Sequence, residues 1–367
     1  MNYRVPFVDY RKQYLGLKPQ LDAAISRTLG EGNLILRDDV REFEAALARF
    51  IGVQHAVGLN SGTDALIFAM RALRLGPGDE VITVAHTFLA TIAAIVHVGA
   101  TPVLVDVGAD YLIDPTAVER ALTRRTRAII PVHLNGRVCD MEGLSAVIPP
   151  GVAIIEDAAQ ALGAKLNGRA AGTFGVVSCF SFYPAKMLGA AGDAGAACTD
   201  DPDLALTIRH LRDHGREGKV KHVLYGFTSR LDNLQAAVLN AKFPCVPAWI
   251  HRRRALAEIY DDGLSRISGL SLPPRPDAGH SDTYQNYVVR SGSRDALADH
   301  LHANGVETII SNPIPLHKQP GLGLDHFDLP VTEKLSAEVI SLPLVPELDD
   351  DQVRYAVDAV RSFDGSG

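Results

Sequence analysis

Lys186 has the most unusual surroundings of any charged residue in this sequence. It lies in the stretch FSFYPAKMLGAAGDAGA at 180–196, among aromatic, small and apolar residues. One interpretation is a long side chain that buries its stem and carries its ammonium group to solvent. The other is an amine that burial keeps neutral and therefore nucleophilic. The remaining chemistry-bearing stretches of the chain decide between the two.

Two further stretches carry groups that could bind an anion and a cation beside such a lysine. NSGTDAL at 60–66 opens a helix with free N–H groups and the hydroxyls of Ser61 and Thr63. These groups could hold a phosphate, although helix capping is the commoner role of such residues. VAIIED at 152–157 ends a strand in Asp157, which could enter a cleft or cap the next helix. The local sequence does not separate these two roles.

Together these groups match the three parts of pyridoxal 5′-phosphate that a protein must bind. A lysine amine bonds to the aldehyde, a carboxylate keeps the pyridine nitrogen protonated, and a helix start holds the phosphate. Ser181 lies five residues before Lys186, and the glycines after the lysine allow the backbone to approach a ligand closely. Phe88 follows a predicted strand and could cover the ring, although its local sequence favours ordinary core packing.

The elements that must position these groups follow an α/β pattern between about residues 50 and 200. Short β-rich runs alternate with apolar runs of helical period at 63–75 and 89–98. This alternation predicts a mainly parallel sheet covered on both faces, with catalytic groups at the carboxyl ends of its strands. The predicted strands are 55–59, 80–84, 102–107, 128–133, 152–157 and 176–182.

The pattern changes after about residue 200. A long helical region at 230–265 precedes a second set of short alternating runs, which includes YQNYVVR and a predicted strand at 306–311. This second set predicts a smaller α+β domain. We therefore predict a large cofactor-binding domain over 1–245 and a small C-terminal domain over 246–367.

Composition excludes several classes of function. The net charge is −7 and there is no long basic run, which argues against nucleic-acid binding. The four cysteines lack C-x-x-C spacing, so we expect neither a zinc site nor disulfides but reduced thiols in the cytoplasm. We expect no signal peptide, no transmembrane helix and no bound metal. The glycines at 189–195 lack the spacing that a nicotinamide-dependent dehydrogenase needs.

The motifs GTDAL, TFLAT, EDAAQ, SFYPAKMLGAAGDAGA and SRLDNLQAA, in this order, resemble the DegT/DnrJ/EryC1/StrS family of sugar aminotransferases. The resemblance extends from VPFVDY near the N-terminus to SLPLVPEL at 341–348. It implies PLP fold type I, like that of aspartate aminotransferase, with a mainly parallel seven-stranded sheet in the large domain. It also implies a homodimer whose active sites are shared between the subunits.

The resemblance further implies a role for each matching residue. Lys186 would bond to the cofactor aldehyde and move the proton, and Asp157 would pair with the pyridine nitrogen. The other implied cofactor contacts are Gly62, Thr63 and Ser181 at the phosphate, Phe88 on the ring face, Gln160 beside the 3-hydroxyl and Arg230 at the phosphate or substrate. The expected substrate contacts are Tyr183, for which core packing is an equal alternative, Arg230, Asn312 and His317.

The chain departs from the family pattern at three places beside the expected site. Thr228 stands where the family has Asn, which predicts a shortened or lost phosphate contact from the partner subunit. A charged loop at 35–40 replaces a glycine turn. Ser311 and Asn312 replace a His-Tyr pair that is frequent in relatives acting on 3-keto sugars, so the side chains that would meet the sugar differ.

We therefore expect an aminotransferase that moves an amino group from glutamate or glutamine to a keto group of a sugar. The expected acceptor is a nucleotide-linked keto-deoxyhexose, with C3 favoured over C4, in amino-sugar biosynthesis. The alternatives are the same reaction on a non-nucleotide cyclic ketone, another fold-type-I reaction such as a PLP lyase, and a non-catalytic PLP- or sugar-binding regulator. Lys186 argues against the dehydratase branch of the family, which carries His at that position.

Overall fold

Amphipathic and apolar runs of the sequence form helices within residues 3–363, which are the residues that the computed structural model describes. The helices are α1 (Tyr10–Gly30), α2 (Asp38–Ile51), α3 (Gly62–Ala72), α4 (Leu89–His97), α5 (Pro115–Ala121), α6 (Met141–Val147), α7 (Pro202–Arg212), α8 (Asn233–Lys242), α9 (Val246–Leu264), α10 (Arg294–Ala303), α11 (Pro330–Glu338) and α12 (Asp350–Arg361).

The short β-rich runs form strands. These are β1 (His55–Leu59), β2 (Glu80–Val84), β3 (Thr101–Val105), β4 (Thr126–Ile129), β5 (Ala153–Asp157), β6 (Lys165–Leu166), β7 (Arg169–Ala170), β8 (Val177–Ser181), β9 (Gly195–Thr199), β10 (Arg216–Glu217), β11 (Lys221–His222), β12 (Leu270–Ser271), β13 (His280–Ser281), β14 (Tyr287–Ser291) and β15 (Val339–Leu342).

Seven strands form one sheet in the order β1-β9-β8-β5-β4-β2-β3. All neighbouring pairs are parallel except those of β9, which is antiparallel to both β1 and β8. The six strands predicted from the sequence are confirmed, with ends that shift by a few residues. Their carboxyl ends meet at one edge, where groups from distant parts of the chain come together.

Strand β9 was not predicted, because its sequence GAACT contains only small residues and lacks β-branched alternation. The packing explains this composition. A Cβ atom at Gly195 would lie 2.2 Å from the carbonyl carbon of Ser61, immediately before α3. The close approach of β9 to the start of α3 therefore excludes any larger residue at this point.

Helices cover both faces of the sheet, as the α/β pattern predicts. On one face, Leu66 and Ala69 of α3 pack with Val57, Val81 and other buried strand residues. On the other face, a second cluster of buried residues contains side chains from α5, α6 and strands β2 to β4. Burial of each large aliphatic side chain contributes about 1.5–3 kcal/mol, so this two-sided core holds the strand ends in place.

The C-terminal residues build a separate core around the three-stranded antiparallel sheet β12-β14-β15. Val5 from the N-terminal segment joins this core and forms a bridge with Val306. The predicted strand at 306–311 is wrong, because only isolated bridges at Val306 and Ile309 form there. Helix α9 begins at Val246, next to the predicted domain boundary, which stays a prediction.

No helix of the described residues is long and apolar enough to cross a membrane. Within the same residues, no three His, Cys, Asp or Glu side chains are grouped so that they could hold a metal ion.

Candidate active site

A cavity of about 580 Å³ opens at the carboxyl ends of the parallel strands. Strand β5 ends in it with Asp157, strand β8 ends in it with Ser181, and α3 begins at its wall. Eight of the eleven residues predicted to form the site line this cavity. They are Gly62, Thr63, Phe88, Asp157, Gln160, Ser181, Tyr183 and Lys186.

Lys186 points its amine into the cavity instead of carrying it to the outer surface. Its Nζ has no hydrogen bond or ion pair with any residue of the described chain. Burial lowers the pKa of Lys186, and attraction by Asp157 opposes this shift only in part. The structure therefore favours the second interpretation of this lysine, an amine that is poised to become neutral.

Asp157 is buried and held by two donors. The Thr91 hydroxyl donates to Oδ2 at 2.8 Å, and the Ala159 N–H donates to Oδ1 at 3.2 Å. Burial raises the pKa of Asp157, whereas these hydrogen bonds and the charge of Lys186 lower it. No helix follows Asp157, so its interpretation as a helix cap is wrong.

Thr91 is a residue of the site that the sequence did not identify. Its hydroxyl hydrogen goes to Asp157, and its Oγ1 lies 2.9 Å from the Oγ1 of Thr87. Thr87 must therefore donate to Thr91, which leaves the Thr91 hydrogen aimed at the carboxylate. Thr91 belongs to the motif TFLAT, but a threonine in the first turn of a helix gives no sign of a partner 66 residues away.

The start of α3 forms an anion cradle at the cavity wall. Ser61 is the N-cap residue and its Oγ accepts the Asp64 N–H at 3.1 Å, so the capping interpretation is confirmed for this hydroxyl. The N–H groups of Gly62 and Thr63 have no acceptor within the described chain and carry the positive end of the helix dipole. A Cβ at Gly62 would lie 2.9 Å from the Ser181 Cβ, so only glycine leaves this wall open.

Two aromatic side chains line the cavity without being part of the core. Phe88 is 70% exposed and Tyr183 is 52% exposed, although both lie at the cavity wall. The interpretation of these residues as core residues is therefore wrong. An apolar ring that faces an open cavity provides a surface on which a flat aromatic ligand can stack.

Gln160 is fixed by the backbone of the segment after β4. Its Oε1 accepts the Asn135 N–H at 2.8 Å. This bond orients the amide so that the Nε2 hydrogens have no acceptor within the described chain. The side chain can therefore donate to an oxygen atom of a bound ligand.

Arg230 does not line the cavity of its own chain. Its Nη1 donates to Asp213 at 3.0 Å, and its backbone forms a bridge with Leu59. Nearby, the Thr228 hydroxyl lies 3.0 Å from Nε2 of His214. Both side chains are thus occupied within the loop, and their predicted contacts with cofactor or substrate stay predictions.

Asn312 and His317 also lie outside the cavity lining. The Asn312 Nδ2 donates to the backbone oxygen of Thr87 at 2.6 Å. The His317 ring is fully buried, with its Nε2 3.0 Å from Glu333 Oε1. The chain brings the adjacent Ser311 to the cavity instead. The predicted substrate roles of Asn312 and His317 stay predictions.

These groups fit pyridoxal phosphate. The amine without a partner suits the aldehyde, the buried carboxylate suits a protonated ring nitrogen, and the open N–H groups at the start of α3 suit a phosphate. The volume of the cavity leaves room for a second ligand beside the cofactor. Gln285 and Arg253 line the same cavity from the C-terminal part of the chain, and the sequence predicted neither of them.

Comparison with known proteins gives a consistent result. A family model described as the DegT/DnrJ/EryC1/StrS aminotransferase family matches residues 17–361. The chain is 43% identical to a dTDP-3-amino-3,4,6-trideoxy-alpha-D-glucose transaminase of Streptomyces venezuelae, over 98% of this chain and 96% of the relative. It is 42% identical to a UDP-N-acetyl-3-dehydro-alpha-D-glucosamine 3-aminotransferase of Acidithiobacillus ferrooxidans, over 98% of each. It is also 41% identical to a pleiotropic regulatory protein of Geobacillus stearothermophilus, over 98% of each.

Solved structures agree with these matches. The crystal structure of S. venezuelae DesV in complex with a ketimine intermediate superposes with a TM-score of 0.95, at 43% identity and 98% coverage of both chains. The structure of NtdA from Bacillus subtilis with bound cofactor PMP gives a TM-score of 0.90 at 28% identity, over 98% of this chain and 85% of that chain. The fold predicted from the sequence, PLP fold type I, is confirmed.

Proposed function

The chain belongs to the DegT/DnrJ/EryC1/StrS aminotransferase family, and from this premise we propose that it aminates C3 of a nucleotide-linked keto-deoxyhexose. It is an aminotransferase that uses pyridoxal phosphate. The observation that carries the reaction is the unpartnered amine of Lys186 facing a cavity that also holds the buried Asp157. The names of two relatives, both 3-amino-sugar enzymes, support the choice of acceptor.

When bound, pyridoxal phosphate supplies an electron sink beside the carbon that loses or gains the amino group. Lys186, as a neutral amine, takes the proton from the Cα of the donor and later returns a proton to the sugar carbon. Burial favours this neutral form, because it disfavours the ammonium ion. Asp157 stays buried, and a positive ring nitrogen beside it would favour its ionised form.

The other cavity residues bind and orient. The N–H groups of Gly62 and Thr63 and the nearby Ser181 would hold the phosphate, and Phe88 would cover one face of the ring. Gln160 would donate to the 3-hydroxyl side of the ring. A ring covered in this way excludes water from the carbon at which the proton moves.

We propose further that the active protein is a homodimer in which the loop of Arg230 reaches the partner's cavity. The segment before Arg230 exposes apolar side chains: Val220 is 89% exposed and Tyr225 is fully exposed. Such exposure supports burial against a second copy. Arg230 itself does not line the cavity of its own chain.

Mixed dimers test this arrangement. We expect Lys186→Ala and Arg230→Ala homodimers to be inactive or strongly impaired. If Arg230 acts in the partner's cavity, a mixed dimer of the two variants contains one site with both residues intact and regains activity. If Arg230 acts within its own chain, every site of the mixed dimer lacks one residue and activity stays absent, which would contradict the shared site.

The first test of the function is the visible absorbance of the purified protein before and after addition of excess L-glutamate or L-glutamine. We expect a cofactor band that either donor converts to the shorter-wavelength band of pyridoxamine phosphate, and that is altered in Lys186→Ala. The converted protein is then offered a 3-keto and a 4-keto nucleotide sugar and a keto-cyclitol. Return of the original band with the 3-keto sugar alone supports the proposal, and return with the cyclitol alone favours the non-nucleotide ketone.

A second candidate function is regulation without catalysis. The relative from G. stearothermophilus is named a pleiotropic regulatory protein and is 41% identical to this chain. A cofactor band that neither amino donor changes would favour this second candidate.

We propose the cytoplasm as the location of the protein, because its four free cysteines fit a reducing compartment.

A further inference from the structure

The backbone around Lys186 is held by side chains from two directions. On one side, α8 contributes Gln235, whose Oε1 accepts the Ala191 N–H at 2.8 Å, and Lys242, whose Nζ donates to the Gly189 oxygen at 2.8 Å. These contacts lie three to five residues beyond the lysine. On the other side, Gln285 reaches the loop from the C-terminal part of the chain.

The Gln285 amide brackets Lys186. Its Oε1 accepts the Met187 N–H at 2.8 Å, and its Nε2 donates to the Ala185 oxygen at 2.8 Å. One planar amide therefore binds the backbone immediately before and immediately after the lysine. Gln285 is 8% exposed, so water competes little for these two bonds.

Gln285 is itself held in place by buried groups. Arg253 is 3% exposed, and its Nη1 donates to the backbone oxygens of Tyr284, Gln285 and Leu344 at 2.6–3.1 Å. The backbone N–H of Gln285 donates to the backbone oxygen of Asn135 at 3.0 Å. A single arginine thus joins the segment before β14, which carries Gln285, to a later segment of the chain.

The backbone beside Gln285 is strained. Tyr284 has a φ of +51°, which is unfavourable for a bulky residue. Such conformations persist where the surrounding contacts impose them, and they cluster at functional sites. Here the strained residue directly precedes the residue that contacts the lysine loop.

We propose that Gln285 is a positioning residue for Lys186, which fixes the direction in which the lysine amine enters the cavity. This inference rests on the proposed role of Lys186. The two bonds prevent rotation of the peptide planes on either side of the Lys186 Cα, so the side chain starts from one fixed point. The direction of the Lys186 side chain then depends on how the C-terminal part of the chain packs against the lysine loop.

Gln285→Met tests the inference, because it keeps the length of the side chain and removes both bonds. Gln235→Met is the matched control, because it removes an amide-to-backbone bond from the same loop at Ala191. The first readout is amide hydrogen exchange at 185–188 in the cofactor-free protein. We expect about tenfold faster exchange in Gln285→Met, as for loss of one buried hydrogen bond, and no change there in Gln235→Met.

The second readout is the pH at which the visible band of the cofactor-loaded protein changes form. This pH reports the lysine–cofactor bond, so a purely structural loss would not shift it. We expect a shift in Gln285→Met and in Gln285→Asn, whose shorter amide cannot span both partners, and none in Gln235→Met. If Gln285→Met does not fold, Gln285→Asn decides by the same two readouts.

The outcomes separate this inference from the function on which it rests. A wild-type band that depends on Lys186, together with unchanged exchange and an unchanged pH profile in the Gln285 variants, overturns the positioning role alone. Absence of any Lys186-dependent band in the wild type overturns the proposed function itself. Equal shifts in the Gln235 and Gln285 variants would indicate general loosening of the loop and also overturn the inference.

Discussion

The cofactor end and the substrate end of the cavity differ in how much of each a single chain provides. At the cofactor end, Asp157 ends β5, Lys186 follows β8 and α3 follows β1, so three strands of one sheet bring these groups to one cavity. At the expected substrate end, Tyr183 is half exposed, whereas Arg230 pairs with Asp213 and the His317 ring lies 3.0 Å from Glu333, both outside the cavity.

This difference follows from the topology. Parallel strands bring their carboxyl ends together whatever the loops do, so groups placed there converge in every chain with this sheet. Groups on long loops and in the C-terminal part converge only when those parts adopt one arrangement. We therefore expect cofactor chemistry to depend on the sheet, and substrate choice to depend on the loops and, in the proposed homodimer, on the partner subunit.

The largest effect should come from the cofactor end. We expect Lys186→Ala to reduce turnover by about 10⁴-fold, because no other base of the described chain lies at this point of the cavity. Lys165→Ala, at an exposed lysine of β6, is the control and should leave turnover unchanged. Turnover measured by keto-acid release from glutamate checks this, and substantial activity in Lys186→Ala would make the central assignment wrong.

A smaller effect should come from the donor behind the carboxylate. Thr91→Val removes the hydroxyl that donates to Asp157 and so raises the pKa of this carboxyl further. We expect turnover to fall about 10- to 100-fold, the range for a hydrogen bond to a charged group, and Thr91→Ser to restore most of it. In Thr91→Val, the acidic limb of the pH–rate profile should shift to higher pH. An unchanged profile would contradict the role of Thr91.

At the substrate end we expect a weaker and more selective effect. Tyr183→Leu should raise the KM for the keto sugar about 2- to 10-fold, as for loss of an aromatic contact, and leave the reaction with the amino donor nearly unchanged. Tyr183→Phe separates the ring from the hydroxyl. An equal loss in both half-reactions would show that the two ends of the cavity are not separable at this residue.

The smallest effect concerns stability. Because the pKa of Lys186 is lowered from 10.5 by burial, the folded cofactor-free protein binds its proton less tightly than the unfolded chain does. The contribution of this group to the free energy of unfolding therefore rises with pH until both states are neutral. We expect Lys186→Met to stabilise the cofactor-free protein at neutral pH, with a gain that shrinks towards pH 10.5, as measured by urea unfolding across this range.

The sequence predicted six strands of the sheet and the convergence of Asp157 and Lys186 on one cavity, because both depend on local patterns. Strand periodicity placed β1, β2 and β5, and motif order placed Asp157 and Lys186. It missed β9, because the small residues of this strand are required by the close contact at Ser61 and do not follow strand propensity. It also favoured core packing for Phe88, since an aromatic residue beside a strand has the same local pattern whether it is buried or exposed.

The residues that the sequence missed act across long separations. Gln285 lies 98 and 100 residues from the two groups it binds, and a polar residue before a strand carries no mark of such partners.

Asn312, by contrast, was predicted from its position in a recognisable motif, yet its amide binds the backbone of Thr87 instead of lining the cavity. A pattern gives the type of residue at a position, but the direction of its side chain depends on packing that only the folded chain has.

The hydrogen bonds of Arg253 also affect the order in which the parts of the site reach their final structure during synthesis. The lysine segment leaves the ribosome about a hundred residues before Gln285, and Arg253 finds its last acceptor only at Leu344. Domains generally fold as they emerge, from the N-terminus onward. The sheet can therefore form while the lysine segment still lacks its contacts with Gln285, and the site reaches its final form only after the segment that carries Leu344 has been made.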